Sequence, residues 1–172
     1  MIMSDAAKYD PESYESLIRR SFGFLETESG MKFHGVRRSG GDDPRDSALI
    51  ARYSDDGIRL DIGWSEHELS FGILVKFAHA DLTRTESHVY FEPFMDDLTH
   101  RAEPVVVPYI TETMGLRDIE SVAESRRRIF RNGLPPVAEQ LAEKLRSRMA
   151  ELRSVSVDRI RGHHAWMQGR SS

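Results

Sequence analysis

Seven histidines and several paired carboxylates are the side chains of this 172-residue chain that could do chemistry. His67 stands between Glu66 and Glu68, and Asp81 lies two residues after His79. Imidazole and carboxylate groups on neighbouring chain reversals can ligate a divalent metal or exchange protons. The acids recur as Asp42-Asp43-Pro44-Arg45-Asp46, Asp55-Asp56 and Asp96-Asp97. Paired acids divide general-acid and general-base roles when their environments differ. Each of these groups falls in a turn-like stretch, however, where Asp also serves local hydrogen bonding. The spacing of His67, His79 and Asp81 fits no compact zinc pattern, and His-Glu-x-x-His is absent. His163 and His164 are adjacent, and neighbouring side chains on a regular element diverge.

Other familiar chemistries have no candidate. Cysteine is absent, which removes disulfides, thiolate metal ligands and cysteine nucleophiles. Gly40-Gly41 precedes Asp42 and Asp43, which would repel a phosphate, and no Lys-Ser or Lys-Thr pair completes a nucleotide loop. Gly-x-Ser-x-Gly does not occur. The expectation is a chain without cofactor or metal and with no catalytic residue to name.

The elements around these residues are clearer than the chemistry. Ile58, Leu60, Ile62 and Trp64 alternate with Arg59, Asp61 and Gly63, and Leu69, Phe71, Ile73, Val75 and Phe77 repeat the period of two. Such alternation buries one face of a sheet and leaves the other partly wet. Met31–Val36 and residues 48–53 read as two earlier strands, and Ser54-Asp55-Asp56-Gly57 as a tight connection between strands. A fifth strand is expected over Val89–Phe94, limited by Pro93. Upstream, Asp10 and Pro11 open a helix whose Tyr14, Leu17, Ile18, Phe22 and Leu25 form one apolar stripe.

Two further helices are expected over 117–152. Leu116, Ile119, Val122, Ile129 and Phe130 mark the first, which Asn132-Gly133 ends. Leu134, Val137, Leu141, Leu145, Met149 and Leu152 mark the second, with Pro135 or Pro136 in its first turn. The fold class is α+β. An N-terminal helix packs on an antiparallel meander of four or five strands, followed by a C-terminal helical hairpin. Residues 1–154 form one domain, with helix and sheet over 10–95, and 155–172 read as a partly ordered tail.

Charge divides the chain. Residues 1–116 hold 12 Lys+Arg and 21 Asp+Glu, a balance of -9, whereas residues 117–172 hold 12 and 7, a balance of +5. The halves neutralise one another in the fold or offer opposite faces to a partner. Arg126-Arg127-Arg128, with Lys144, Arg146, Arg148 and Arg153, is the basic region that nucleic acid would use. Consecutive helical residues splay apart and no aromatic platform accompanies them, which disfavours that use. Without a membrane-length apolar run or a secretory start, a bacterial cytoplasmic protein is expected.

The helix ending Phe22-Gly23-Phe24-Leu25-Glu26, the hairpin from Tyr53 to Ile62 and the strand at 69–77 resemble small uncharacterised bacterial domains of the toxin-immunity type. The resemblance implies protein binding and carries no functional residue with it. The reading favours a non-enzymatic protein-interaction domain, an immunity or accessory protein, with a protein partner or a second copy of itself. Asp42, Asp43, Asp55, Asp56 and Trp166 are the candidate contact residues. A small metal-dependent enzyme built on His67, His79 and nearby acids is one alternative. A regulatory nucleic-acid-binding protein using the basic C-terminal helices is the other.

Overall fold

The computed structural model describes residues 11–39, 48–65, 70–99 and 133–170, with side chains described through 95 in the third stretch and 169 in the last. Helix α1 runs Pro11–Phe22 and a short α2 runs Phe24–Thr27. Strands β1 (Lys32–Ser39), β2 (Ala48–Ser54), β3 (Ile58–Ser65), β4 (Ser70–Phe77) and β5 (His88–Tyr90) follow, with α3 at Phe91–Thr99. Helices α4 (Leu134–Arg153) and α5 (Val157–Arg170) close the described chain. The sheet is a five-stranded antiparallel meander in the order β1-β2-β3-β4-β5. The α+β class, with its N-terminal helix, antiparallel sheet and C-terminal helical pair, is as expected.

Alternation decides what is buried. Leu49, Ala51 and Tyr53 of β2, Leu60, Ile62 and Trp64 of β3, and Ile73, Val75 and Phe77 of β4 share one face and are buried. Helix α1 lies against β1 and β2, α4 against α1 and β4, and α3 against β4 and β5. The expected stripes are the ones that dock: Tyr14, Leu17, Ile18 and Phe22 on α1, and Leu134, Val137, Leu141, Leu145, Met149 and Leu152 on α4. Tyr14 reaches from α1 to the middle of the sheet, where its hydroxyl donates to the Ile62 carbonyl at 2.9 Å. Burial raises its pKa well above the ordinary phenol value.

Strand β1 departs from strict alternation. Phe33 pairs with Tyr53 and Val36 with Ala51, so β1 carries one extra residue between them. Gly35 occupies this bulge at φ 91°, a left-handed conformation that costs glycine little. The bulge turns both Phe33 and Val36 toward the helices. The Phe33 ring lies 4.9 Å from that of Tyr53 and beneath the Arg19 guanidinium.

Two expectations are corrected. The strand expected over Val89–Phe94 stops at Tyr90, and Phe91 begins α3. Pro93 falls in the first turn of that helix, where its missing N–H breaks no intrahelical bond. Phe91, Phe94 and Met95 turn inward at helical spacing, and Phe94 packs 5.8 Å from Phe77. The stretch after residue 155, expected as a tail, contains the fourteen-residue α5. Ile160 and His163 are its buried anchors, and His163 meets the Phe94 ring edge-on at 5.0 Å. Arg161 donates to the Asp81 carbonyl at 2.7 Å, and His164 Nε2 lies 2.8 Å from the Glu86 carbonyl. The first helix of the expected hairpin, at 116–131, lies outside the described residues, so the pair described is α4 and α5.

The β2–β3 connection is fastened by Asp55. Its Oδ1 accepts from the amides of Gly57 and Ile58, both at 2.9 Å, and Arg153 pairs with it at 2.6 Å. Burial on its own would raise the carboxyl's pKa. The two amides and the guanidinium outweigh burial and hold it below its ordinary value of 3.8.

These contacts give two expected outcomes. Tyr14→Phe should cost about 0.5–1.5 kcal/mol, the net worth of one buried hydrogen bond. Tyr53→Phe should be neutral or stabilising, because the buried Tyr53 hydroxyl has no hydrogen-bond partner. Urea titrations of the two variants would check the contrast, and equal losses would contradict it. For Asp55 the lowered folded pKa means stabilisation that is complete above 3.8 and lost as pH falls through the folded value. Asp55→Ala should therefore lose roughly 1–3 kcal/mol at pH 7. Asp55→Asn, which keeps the turn, should show a shallower fall in stability than the wild type between pH 5 and pH 3.

Candidate ligand-binding groove

Of the candidate contact residues, Asp55 and Asp56 on the β2–β3 connection and Trp166 on α5 lie within the described residues. Asp42 and Asp43 lie outside the described residues, as do His67 and Arg126–Arg128. Asp55 spends its carboxylate on its own turn and on Arg153, while Asp56 beside it is exposed. Trp166 is half-buried on α5, with its ring 5.6 Å from His163. His79 and Asp81 are exposed, and the His79 ring stacks on Phe77 at 6.2 Å. Among the described residues no three His, Asp or Glu side chains are placed to hold a metal ion. No described helix is long and apolar enough to cross a membrane.

The side chains that do converge are on the sheet face opposite α1 and α4. The register arranges that outer face in rows. Lys32, Ser54, Arg59, Lys76 and His88 align across all five strands as a polar, largely basic row. Arg52, Asp61, Leu74 and Tyr90 form the next row. Arg37, Ile50, Gly63 and Gly72 form the third, and Ser39, Ala48, Ser65 and Ser70 the fourth. Polarity thus falls from the first row toward a floor that has almost no side chains.

That gradient shapes a groove of about 630 Å³. Its walls include Arg37, Arg52, Arg59, Leu74 and Tyr90, and its floor is Gly63 beside Gly72. The volume falls within the ~300–1,000 Å³ range of small-ligand sites. Tyr90 is 67% exposed, the large apolar side chain that stands out at the surface. A Cβ added at Gly72 would meet nothing within 4 Å, so the fold does not require glycine there for want of room. What the two glycines provide is an approach to the sheet backbone.

Electrostatics in the groove centre on one buried carboxylate. Asp61 is 8% exposed, and Arg52 grips it with two parallel bonds, Nε to Oδ1 at 2.7 Å and Nη2 to Oδ2 at 2.9 Å. The pair sits directly across β2 and β3, the geometry in which planar guanidinium and carboxylate match best. Arg59 stands two residues before Asp61 on β3, with Nη2 3.5 Å from Oδ2, beyond good hydrogen-bond geometry. Its Nε has no hydrogen-bond partner. Arg37 is exposed at the β1 side. The three arginines form a diagonal stripe over β1, β2 and β3, with neighbours about 7–8 Å apart at the backbone.

The arrangement suits binding better than proton transfer. The ionisable groups lining the groove are Arg37, Arg52, Arg59, Asp61, Tyr90 and Glu92. Arginine stays protonated, and Asp61 has both oxygens engaged by Arg52. Sequence reasoning noted Arg59, Asp61 and Gly63 only as the wet half of an alternating strand. The signal that would have found the groove is glycine inside two neighbouring strands, at 63 and 72. A hairpin closed by the link at 65–70 places them opposite each other. Compared with known protein families, characterised proteins and solved structures, the chain matches none.

Proposed function

We propose that this domain is a non-enzymatic recognition module, of the immunity or accessory kind, that binds a partner protein through the outer face of its sheet. The observation that carries the reading is the pairing of arginines that are partly or fully exposed with an exposed aromatic ring beside an open groove. Arg52 is committed to Asp61, whereas Arg59 holds Asp61 only loosely, at 3.5 Å, and Arg37 faces solvent. Arginine and tyrosine are the residues on which interfaces concentrate binding energy. Among the described residues, helices α1 and α4 pack on the opposite face of the sheet. Of the acidic residues, Asp55 spends its carboxylate on its own turn and on Arg153.

The test is co-expression with the product of an adjacent gene. Size-exclusion chromatography with light scattering should show a stoichiometric complex. Tyr90→Ala and Arg59→Ala should each weaken it by about tenfold or more. Equal affinity in both variants, with loss only on Asp56→Lys, would move the interface to the acidic turns. Turnover of a substrate abolished by Asp61→Asn would overturn the non-enzymatic reading.

A further inference from the structure

The groove has a chemistry specific enough to name what it takes. We infer that it binds an acidic peptide segment of a partner, seating one carboxylate side chain on the arginine stripe and a neighbouring apolar side chain over the Gly63–Gly72 floor. The inference rests on the outer face being the binding surface, as proposed above, and goes further by fixing the chemistry of the occupant.

Charge supplies the first argument. Three arginines, Arg37, Arg52 and Arg59, share the stripe with a single carboxylate, Asp61, and Glu92 adds a second acid at the β5 side of the groove. One positive charge therefore remains uncompensated within the lining, and Lys76 stands beside Arg59 in the same row. Arg52 is held in place by its two bonds to Asp61, so the carboxylate organises the stripe as well as neutralising part of it. Arg59 is 29% exposed, and its ion pair with Asp61 is loose, at 3.5 Å. A second carboxylate arriving from solvent would meet this part-exposed guanidinium together with that of Arg37, which is exposed.

Shape supplies the second argument. Beside the stripe the lining turns apolar, with Ile50, Leu74 and the Tyr90 ring around the glycine floor. An occupant must therefore be anionic at one end and apolar at the next position. A peptide bearing Asp or Glu beside an aliphatic or aromatic residue has this form, and its backbone can approach the sheet where Cβ atoms are missing. Single-stranded nucleic acid fits less well. It stacks on several exposed aromatic rings in a wholly cationic channel, whereas Tyr90 is the exposed ring of this lining, Phe91 is buried, and two acids are present.

The experiment is a selection from a random hexapeptide phage library against the full 172-residue chain. Affinities of the selected peptides are then measured by fluorescence anisotropy. Enriched sequences should pair Asp or Glu with an adjacent aliphatic or aromatic residue. Exchanging that acid for its amide should weaken binding about tenfold, as should Arg59→Gln. Gly72→Val should block the floor to a similar extent while leaving the thermal midpoint unchanged, since the added Cβ meets nothing within 4 Å. Arg59→Gln tests the same groove without altering a strand glycine.

Failures separate the two readings. Peptides that lack an acid but are still blocked by Gly72→Val would overturn the carboxylate chemistry and leave the outer face as the binding surface. Peptides indifferent to both variants would overturn the face itself, as would a selection in which nothing is enriched over the Gly72→Val chain. Tight binding of a labelled twelve-nucleotide oligouridylate that Arg59→Gln abolishes would assign the groove to nucleic acid instead. A dimer of the wild type that Gly72→Val converts to monomer would assign it to a second copy of the chain.

Discussion

Pairing register is the constraint from which this structure follows. The side-chain period of a strand is two, so a slip of one residue between β3 and β4 would exchange every inward and outward position. Ile62 opposite Ile73 and Leu60 opposite Val75 place β-branched and aliphatic groups under the helices. The same register sets Gly63 opposite Gly72 and Arg52 opposite Asp61 on the other side. Core and groove are therefore two faces of one choice. Tyr14 reinforces it, because its hydroxyl meets the Ile62 carbonyl only when β3 lies in this alignment under α1.

Part of the uneven charge along the chain is resolved by ion pairs among the described residues. Arg146 pairs with Glu28, Arg153 with Asp55, and Arg161 with Glu86, each joining the basic C-terminal third to the acidic remainder. Exposed pairs of this kind add little stability singly, roughly 0–1 kcal/mol each. Their value is directional. Arg153 also donates to the Ser29 carbonyl, and Arg161 to that of Asp81, so α4 and α5 are set against particular loops. The stripe of Leu and Val on α4 supplies the adhesion, and the arginines select where it acts.

The sequence was most legible where one physical signal dominated. Period-two alternation located β2, β3 and β4, and the 3.6-residue stripes of α1 and α4 named the residues that are buried. It was least legible where polar residues occupy apolar positions. Helix α5 is anchored by Ile160 and by His163, which is 3% exposed, and an imidazole in a stripe weakens the pattern that marks an amphipathic helix. Helix α3 was hidden for another reason: Pro93 reads as a strand breaker but is equally at home in a first helical turn. The groove escaped because it is a property of pairs across strands. Arg52 and Asp61 are nine residues apart and acquire meaning only when the register brings them together.

The bulge at Gly35 has a consequence for the molecule's behaviour among its own copies. Among the described residues the meander ends in two edge strands, β1 and β5, and an edge is a template on which another strand can grow. At one end β5 is only three residues long. At the other, the extra residue in β1 breaks the even spacing of amides and carbonyls and adds local twist, while Lys32, Arg37 and Arg38 place like charges along the strand. Extension of the sheet by a second molecule is thus discouraged at both margins. The device that brings Phe33 and Val36 into the core also helps to keep a flat, adhesive scaffold from polymerising.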